Sequence, residues 1–399
     1  MNKNAIIVIF ALLVATLWRA PGIAIDPRGF IYPPDIRENY ENAFMWSVQF
    51  VFAIYLIFKI NVWIGLFFAL SSISAFFPVN TALSDKAHLF VTYGAAWYAF
   101  CVKSLNSEKA TRWMLNTICI IALVNCSLLI MQGIFQFDPL HRTIKPVWGA
   151  SYDSVPNVGL MSCTNGASVM LAVCMPAFFR KKWFWFIPVV VLGLILTTTF
   201  IGPLAVASAL IGYVFIKLKN RSHKVMVVIL CVLSLWSYAR MVDRPDTAWR
   251  LRTWKTAMSI YPKYYLVSPN GAEKELNWKL GSGIGHWKLI FRSPDLVLSN
   301  VSNINEFMAQ AHNELAQGLF EMGAAFPFIV SGYLFTVFLI YFFKKEKEKY
   351  LSISAMALII IFITANAFFT FHIPLIAMVS LTWMAIFQNA SKLQRLSAC

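Results

Sequence analysis

The segment Asn300–Gly323, NVSNINEFMAQAHNELAQGLFEMG, groups side chains that could do chemistry. Histidine has an ordinary pKa of about 6.5, so His312 can take up a proton near neutral pH and act as a general base. Asn313, Gln317 and Glu321 follow at i, i+4 and i+8, which places them on one face of a helix. The same stripe also fits interhelical hydrogen bonds without chemistry. His312 is thus a candidate for proton transfer, and Asn313 and Glu321 are candidates for substrate contact.

Two further patterns precede this segment. Four arginines crowd a short stretch, namely Arg240, Arg244, Arg250 and Arg252. Because the guanidinium group forms paired hydrogen bonds with phosphate oxygens, the stretch could bind phosphate or pyrophosphate. The same four arginines are equally typical of a solvated basic surface that touches lipid headgroups. The run Gly281–Gly285, GSGIG, lacks the flanking strand and helix of a phosphate-cradling loop. We interpret it as a tight turn.

The elements that must position these residues are predicted to be membrane helices. Of the 399 residues, 59% are hydrophobic and only 13% are charged, and the apolar runs approach the roughly 20 residues that a helix needs to cross a bilayer. The pattern predicts an all-α polytopic membrane protein with about twelve transmembrane helices. The predicted spans are residues 5–18, 43–60, 62–77, 87–102, 113–135, 158–179, 183–199, 201–216, 225–238, 315–343, 350–369 and 373–387.

The distribution of basic residues predicts the orientation. Lys and Arg of the short loops concentrate on the side that holds Lys103, Lys109, Arg112 and residues 180–182, and such loops are typically cytoplasmic. Both termini are therefore expected in the cytoplasm. The chain is predicted to divide into helices 1 to 9 (residues 1–239), one large periplasmic loop (240–312), and helices 10 to 12 (313–399). The net charge of +16 then serves contact with anionic lipid rather than nucleic acid.

The sequence lacks several common signatures of enzymes. It has no P-loop, no HExxH, no GxSxG elbow and no acidic metal cluster. No predicted cytoplasmic loop is long enough to fold a nucleotide-binding domain. We therefore expect neither a cofactor nor a bound metal, and we expect any reaction to occur in the membrane or outside the cell.

The motif residues resemble one known family. The run Ala311–Gly323, AHNELAQGLFEMG, is similar to the HN-x-x-L-(x)n-E-x-G signature of the O-antigen ligase and O-antigen polymerase superfamily. Upstream, Arg250–Trp254 and then Gly281–Gly285 resemble its R-L-x-x-W and G-x-G patterns in the same external loop. The resemblance implies an inverting, metal-independent glycosyltransferase of the class C type in the bacterial inner membrane. Its donor would be a glycan on undecaprenyl pyrophosphate, and its acceptor a hydroxyl of lipid A core.

The resemblance also implies roles for individual residues. His312 would activate the acceptor hydroxyl, and Arg250 with other outer arginines would hold the pyrophosphate. The family carries a basic motif at the start of the eighth helix, where this chain has TTTFI at Thr197–Ile201. Arg142, Lys145 or Arg252 would then have to take its place.

Other functions remain open from the sequence. An O-antigen polymerase or a protein O-oligosaccharyltransferase of the same superfamily would differ only in the acceptor. A polysaccharide flippase or transporter is an alternative from another class, although a protein built from two six-helix halves is expected to show related halves joined by a central cytoplasmic connection. The oligomeric state is not predicted.

Overall fold

The computed structural model describes residues 3–19, 53–58, 60–76, 81–139, 157–161, 163–217, 265–267, 273–275, 281, 313–343, 349–366 and 370–396. Helices dominate these residues. They are α1 (Lys3–Arg19), α2 (Val62–Phe76), α3 (Thr81–Ser104), α4 (Glu108–Gly133), α5 (Thr164–Cys174), α6 (Ile187–Leu196), α7 (Ile201–Lys217), α8 (Glu314–Met322), α9 (Ala325–Phe343), α10 (Lys349–Ala365) and α11 (Pro374–Leu396). Short 3-10 turns cover Met175–Phe178, Phe184–Phe186 and Thr370–His372.

A small antiparallel sheet lies in the segment predicted to be the large external loop. Strand β1 (Tyr265–Val267) pairs with β2 (Glu273–Glu275), with Tyr265 opposite Glu275 and Val267 opposite Glu273. The mostly helical architecture confirms the all-α part of the predicted fold class, and the sheet is the exception to it among the described residues.

One described helix, α4, is long and apolar enough to cross a membrane, judged by length and composition alone. Several shorter apolar stretches accompany it, namely Asn4–Leu13, Val62–Ser71, Thr164–Phe178, Phe184–Leu196, Ile201–Ile211, Ala325–Tyr341 and Tyr350–Ala365. The ninth predicted span, residues 225–238, lies outside the described residues.

The chain divides into two compact units. Unit 1 comprises Met1–Phe30, Phe100–Asp243 and Lys344–Cys399, and unit 2 comprises Ile31–Ala99 and Arg244–Phe343. Each unit is therefore assembled from segments that are distant in the sequence.

Helix α5 forms the centre of unit 1. Its residues from Gly166 to Cys174 are all buried, and α4, α7, α10 and α11 pack around it. Trp383 of α11 is fully buried and donates its indole N–H to the carbonyl of Val173 at 2.9 Å. A buried indole usually needs such a partner, because an unpaired N–H away from water is costly.

Arg180 is buried although it belongs to a short basic loop that is predicted to face the cytoplasm. Its side chain is 6% exposed and donates to the carbonyl of Ala177 at 2.9 Å, to the carbonyl of Arg112 at 3.4 Å and to Sγ of Cys119 at 3.5 Å. Its neighbours Lys181 and Lys182 are exposed. Arg180 therefore fastens the turn after α5 to helix α4.

Two predicted helices differ from those observed in unit 1. The sixth predicted span begins at Val158, but α5 begins only at Thr164, because Gly159 has a φ of +54° and side chains of α4 hydrogen-bond the backbone of residues 158–160. The seventh predicted span ends at Thr199, whereas α6 ends at Leu196. Thr198 there has a φ of +51°, which no α-helix contains.

In unit 2, helix α2 packs against α8 and α9. The buried residues of this core are Leu70, Met322, Phe326 and Ile329, packed against Trp63, Leu66, Phe67, Val91, Leu315 and Val330. Trp63 donates its indole N–H to Oγ1 of Thr336 at 2.8 Å. A Cβ at Gly332 would overlap the Trp63 ring, so α9 needs glycine there to approach α2.

The tenth predicted span, residues 315–343, is two helices rather than one. Helix α8 ends at Met322 and α9 starts at Ala325, because Gly323 adopts a φ of +74°. Glycine enters this left-handed region without the steric cost that other residues meet. The break separates the nine-residue helix carrying the polar stripe from the apolar helix that follows it.

Candidate functional site

The described part of the predicted site is helix α8, which starts two residues after His312. Asn313 is the N-cap: its backbone is extended, and its Oδ1 accepts a hydrogen bond from the backbone N–H of Ala316 at 3.0 Å. Asparagine is preferred at this position because its side chain satisfies a backbone donor that the first helical turn leaves unpaired. Glu314 in the first turn adds a favourable interaction with the helix dipole.

Gln317 and Glu321 form a buried polar pair within α8. Each residue is 4% exposed, and Nε2 of Gln317 donates to Oε1 of Glu321 at 3.1 Å. The i, i+4 spacing thus brings the two side chains together on one face, as the sequence predicts. Asn313 departs from that prediction because it caps the helix and turns its side chain back to the first helical turn instead of extending the stripe.

Gly281 lies against the other end of α8. It is buried with a φ of +75°, and a Cβ at this position would overlap the carbonyl carbon and oxygen of Glu321. Both the left-handed backbone and the close backbone approach require glycine. The tight turn predicted at GSGIG lies outside the described residues apart from Gly281. The contact of Gly281 with α8 was not predicted, since a contact between segments distant in the sequence leaves no local signal.

Helix α8 is held firmly along its length. A Cβ at Gly318 would overlap the ring of Phe326, which belongs to the buried core of unit 2. The backbone N–H of Gly323 donates to the carbonyl of Leu319 at 2.9 Å and closes the last turn. The helix that follows His312 is therefore fixed at its cap, its middle and its end.

The remaining predicted site residues, His312, Arg250, Arg252, Arg142 and Lys145, lie outside the described residues. Within the described ranges, no three His, Cys, Asp or Glu side chains gather closely enough to hold a metal ion. Of the residues that the motifs singled out, the structure brings together Gln317, Glu321 and Gly281, while Asn313 caps the start of the same helix.

A second polar cluster, which the sequence analysis missed, lies in unit 1. Gln132 of α4 is fully buried; its Oε1 accepts from the backbone N–H groups of Val158 and Gly159 at 3.0 and 2.8 Å, and its Nε2 donates to Asp138 at 3.1 Å. Asn125, two turns earlier, accepts from the N–H of Leu160 at 2.6 Å. The signal available in the sequence was the pair of amides about two turns apart on one face of an otherwise apolar helix.

Asn157 joins the ends of α4 and α6 within this cluster. Its Nδ2 donates to the carbonyl of Leu196 at 2.8 Å, whereas its Oδ1 is buried without a hydrogen-bond partner. A Cβ at Gly133, the last residue of α4, would lie 3.1 Å from Oδ1 of Asn157. An unpaired buried acceptor of this kind costs about 1–3 kcal/mol.

Backbone strain accumulates at the same end of unit 1. Among the described residues, the non-glycine residues with positive φ are Gln136 at +53° and Thr198 at +51°, just after α4 and α6. Glycine is usual after a helix end in this conformation, and another residue costs about 1–2 kcal/mol, with β-branched threonine among the least suited. Both side chains are exposed.

No protein-family model matches this chain, and no curated protein matches it either. The function is therefore inferred from the motifs and from the geometry of the site.

Proposed function

We propose that the protein transfers a glycan from undecaprenyl pyrophosphate to an acceptor hydroxyl, with lipid A core as the acceptor. The observation that carries this proposal is the contact between Gly281 and the backbone of Glu321. These two residues belong to separate segments that resemble the O-antigen ligase superfamily. If the two segments had unrelated roles, a contact between them would not be expected. Their contact supports a single site built from the external loop and helix α8.

The proposal includes a membrane location with about twelve transmembrane helices and both termini in the cytoplasm. Two surfaces support it. Helix α9 exposes Phe328, Phe335 and Phe338, the first at 70%, which suits lipid and is unfavourable in water. Trp185 is 84% exposed beside the exposed Lys181 and Lys182, the combination found where a membrane meets water.

In the proposed reaction, His312 removes the proton from the acceptor hydroxyl as its oxygen bonds to the anomeric carbon of the glycan. The bond between that carbon and the pyrophosphate oxygen breaks, and the configuration inverts. A positioned general base contributes about 10² to 10⁴-fold to such a step. The negative charge that develops on the pyrophosphate would be stabilised by Arg250 together with Arg252, Arg142 or Lys145.

Helix α8 contributes to this reaction by fixing the chain next to His312. The N-cap bond of Asn313 and the buried Gln317–Glu321 pair restrict the backbone that follows the histidine. A general base must stay within about 3 Å of the proton that it removes, so a rigid support contributes to the rate.

The experiment that tests the proposal is transfer of a radiolabelled lipid-linked glycan to purified lipid A core by the purified protein. The assay contains EDTA and no nucleotide, and it compares the wild type with His312→Ala. The matched control is His286→Ala, since His286 is the other histidine of the predicted external loop. We expect product from the wild type and the control, and a loss of at least about 100-fold for His312→Ala.

Other results have distinct meanings. Equal product from His312→Ala would remove His312 as the base. Extension of the glycan on its own lipid donor, with none on lipid A core, would identify the polymerase, and transfer to a protein hydroxyl would identify the protein O-oligosaccharyltransferase. Movement of the lipid-linked glycan across vesicles without any transfer would refute the transferase in favour of the flippase.

A further inference from the structure

Two segments of unit 1 are joined by hydrogen bonds at the end where α4 begins. In the loop after α5, the Arg180 guanidinium donates to the carbonyl of Arg112 at 3.4 Å, and the Trp183 indole N–H donates to Oδ1 of Asn116 at 2.8 Å. Arg112 and Asn116 lie in the first three turns of α4. The loop and the start of this helix therefore form one ordered surface, which we call the α4 edge and define as residues 105–116 and 180–186.

The α4 edge carries a net positive charge. Its exposed basic side chains are Lys109, Arg112, Lys181 and Lys182. Glu108 is the acidic residue within the edge, and it forms an ion pair with Arg112 at 2.7 Å. With the buried Arg180, five basic residues stand against one acidic residue, so the formal charge of the edge is +4. A surface of this charge attracts anions.

Arg180 fastens the loop to α4, and its charge also acts on the surface beside it. Its hydrogen bonds go to two backbone carbonyls and to the Cys119 thiol, and none of these acceptors is a carboxylate. A guanidinium group stays charged in proteins. Because Arg180 is buried, its charge is screened less than that of an exposed lysine, so it attracts an anion held at the neighbouring Lys181 and Lys182.

Exposed aromatic rings lie within the same edge. Trp185 is 84% exposed, and Phe184 and Trp113 are 53% and 50% exposed. Such rings are unfavourable in water, whereas tryptophan beside lysine is typical of the boundary between lipid headgroups and acyl chains. A soluble phosphate would contact the cations and leave the rings in water. The combination of charges and rings therefore favours a phospholipid over a soluble anion.

We propose that the α4 edge is a binding site for an anionic phospholipid, whose phosphate contacts Lys109, Lys181 and Lys182 while its glycerol and upper acyl chains pack on Trp185. The inference rests on the membrane location in the proposed function. It goes beyond that location, because a general attraction between the net charge and anionic lipid requires no ordered site. The edge belongs to the side of the chain that is predicted to face the cytoplasm, where anionic lipids give the membrane its negative surface potential.

The test uses the full-length protein, purified in dodecyl maltoside and titrated with phosphatidylglycerol. Native mass spectrometry counts the bound lipids and gives the Kd, and thermal unfolding without added lipid gives the midpoint temperature Tm. Phosphatidylcholine is the uncharged comparison, and inorganic phosphate is added as a competitor, with chloride of the same ionic strength as its control. The variants are Lys181→Gln/Lys182→Gln, Glu108→Gln and Trp185→Ala. The matched control is Lys263→Gln/Lys274→Gln, which removes the same charge from the predicted external loop.

One charge near an anionic lipid surface changes binding by about fivefold. We therefore expect Lys181→Gln/Lys182→Gln to raise the Kd for phosphatidylglycerol by about 20-fold, and the control double variant to stay within about twofold of the wild type. Trp185→Ala should raise the Kd by about threefold or more through lost apolar contact. Because all substituted side chains at the edge are exposed, the lipid-free Tm should stay within about 2 °C of the wild type.

Glu108→Gln gives the sharpest expectation because its sign is opposite. It removes the negative charge beside the site and frees the Arg112 guanidinium from its ion pair. The Kd for phosphatidylglycerol should therefore fall by about fivefold. A damaged fold would not bind the lipid more tightly.

Three results would overturn the site. An equal Kd for the wild type and Lys181→Gln/Lys182→Gln would show that the phosphate does not contact this loop. Equally tight binding of phosphatidylcholine would show that charge is not recognised. Displacement of phosphatidylglycerol by inorganic phosphate, but not by chloride, would assign the edge to a soluble anion.

Failure of the proposed transferase is a separate outcome, because lipid binding in detergent requires no reaction. A protein that binds phosphatidylglycerol through Lys181 and Lys182 but transfers no glycan would refute the reaction and leave the lipid site standing. A protein that transfers the glycan but binds no anionic lipid at the α4 edge would refute the lipid site and leave the reaction standing.

Discussion

Replacement of Gly281 by alanine tests the contact on which the proposed site depends. Alanine at a φ of +75° costs about 1–2 kcal/mol. Its Cβ would also overlap the carbonyl of Glu321, and because that neighbour is backbone of α8, relief requires displacement of the helix end, as in overpacked cores that cost about 1–3 kcal/mol. Together we expect Gly281→Ala to lower the free energy of unfolding by about 2–5 kcal/mol.

A second substitution separates the two causes. Asparagine tolerates the left-handed region better than alanine does, but its side chain is larger. If backbone strain dominates, Gly281→Asn should be less destabilising than Gly281→Ala. If the overlap with Glu321 dominates, it should be at least as destabilising, and we expect this order because the backbone of α8 is fixed by Phe326 and by the cap at Asn313.

The assay is chemical or thermal unfolding in detergent, followed by tryptophan fluorescence, with transfer activity measured on the same samples. Both variants should lose activity more than stability accounts for, since a shift of α8 also moves the chain next to His312. Unchanged unfolding of Gly281→Ala would refute the close approach of the external loop to α8. A destabilised but fully active variant would refute the role of that approach in the reaction.

Two further predictions concern buried polar groups. Gln317→Leu and Glu321→Leu should each lower the free energy of unfolding by about 1–3 kcal/mol, since each removes the 3.1 Å hydrogen bond from a buried partner. The double variant should lose less free energy than the sum of the two single variants, and strict additivity in this double-mutant cycle would contradict the pairing. Arg180→Ala should lower the free energy of unfolding by about 2–4 kcal/mol because its hydrogen bonds are lost. Lys181→Ala, the exposed control, should have a free energy of unfolding within about 0.5 kcal/mol of the wild type. Equal effects of the two substitutions in unfolding measurements would show that Arg180 does not fasten its loop to α4.

The sequence predicts the helices well where apolar runs end at breakers. Residues 62–77 and 201–216 are predicted as spans, and the helices observed are Val62–Phe76 and Ile201–Lys217. Hydropathy and turn residues act locally, so a single sequence contains the information needed. The assignment of all twelve spans to a membrane stays a prediction.

The departures arise where a distant group competes with the local pattern. The apolar run from Val158 favours a helix, yet the side chains of Asn125 and Gln132 bind its first backbone N–H groups and hold it in another conformation until Thr164. Likewise, nothing near Gly281 in the sequence indicates that Glu321 lies against it. Amide side chains in an apolar helix can hydrogen-bond another helix or the loop before that helix, and only the tertiary structure determines which of these partners lies within reach.

The buried polar side chains of unit 1 are explained by the fold itself. Arg180, Gln132 and Asn125 are buried, have hydrogen-bond partners and hold loops to α4. A buried polar group that loses its partner costs about 1–3 kcal/mol, so these bonds are what allows two amides and a guanidinium group to lie in an apolar interior. Their presence is accounted for by stability and needs no ligand.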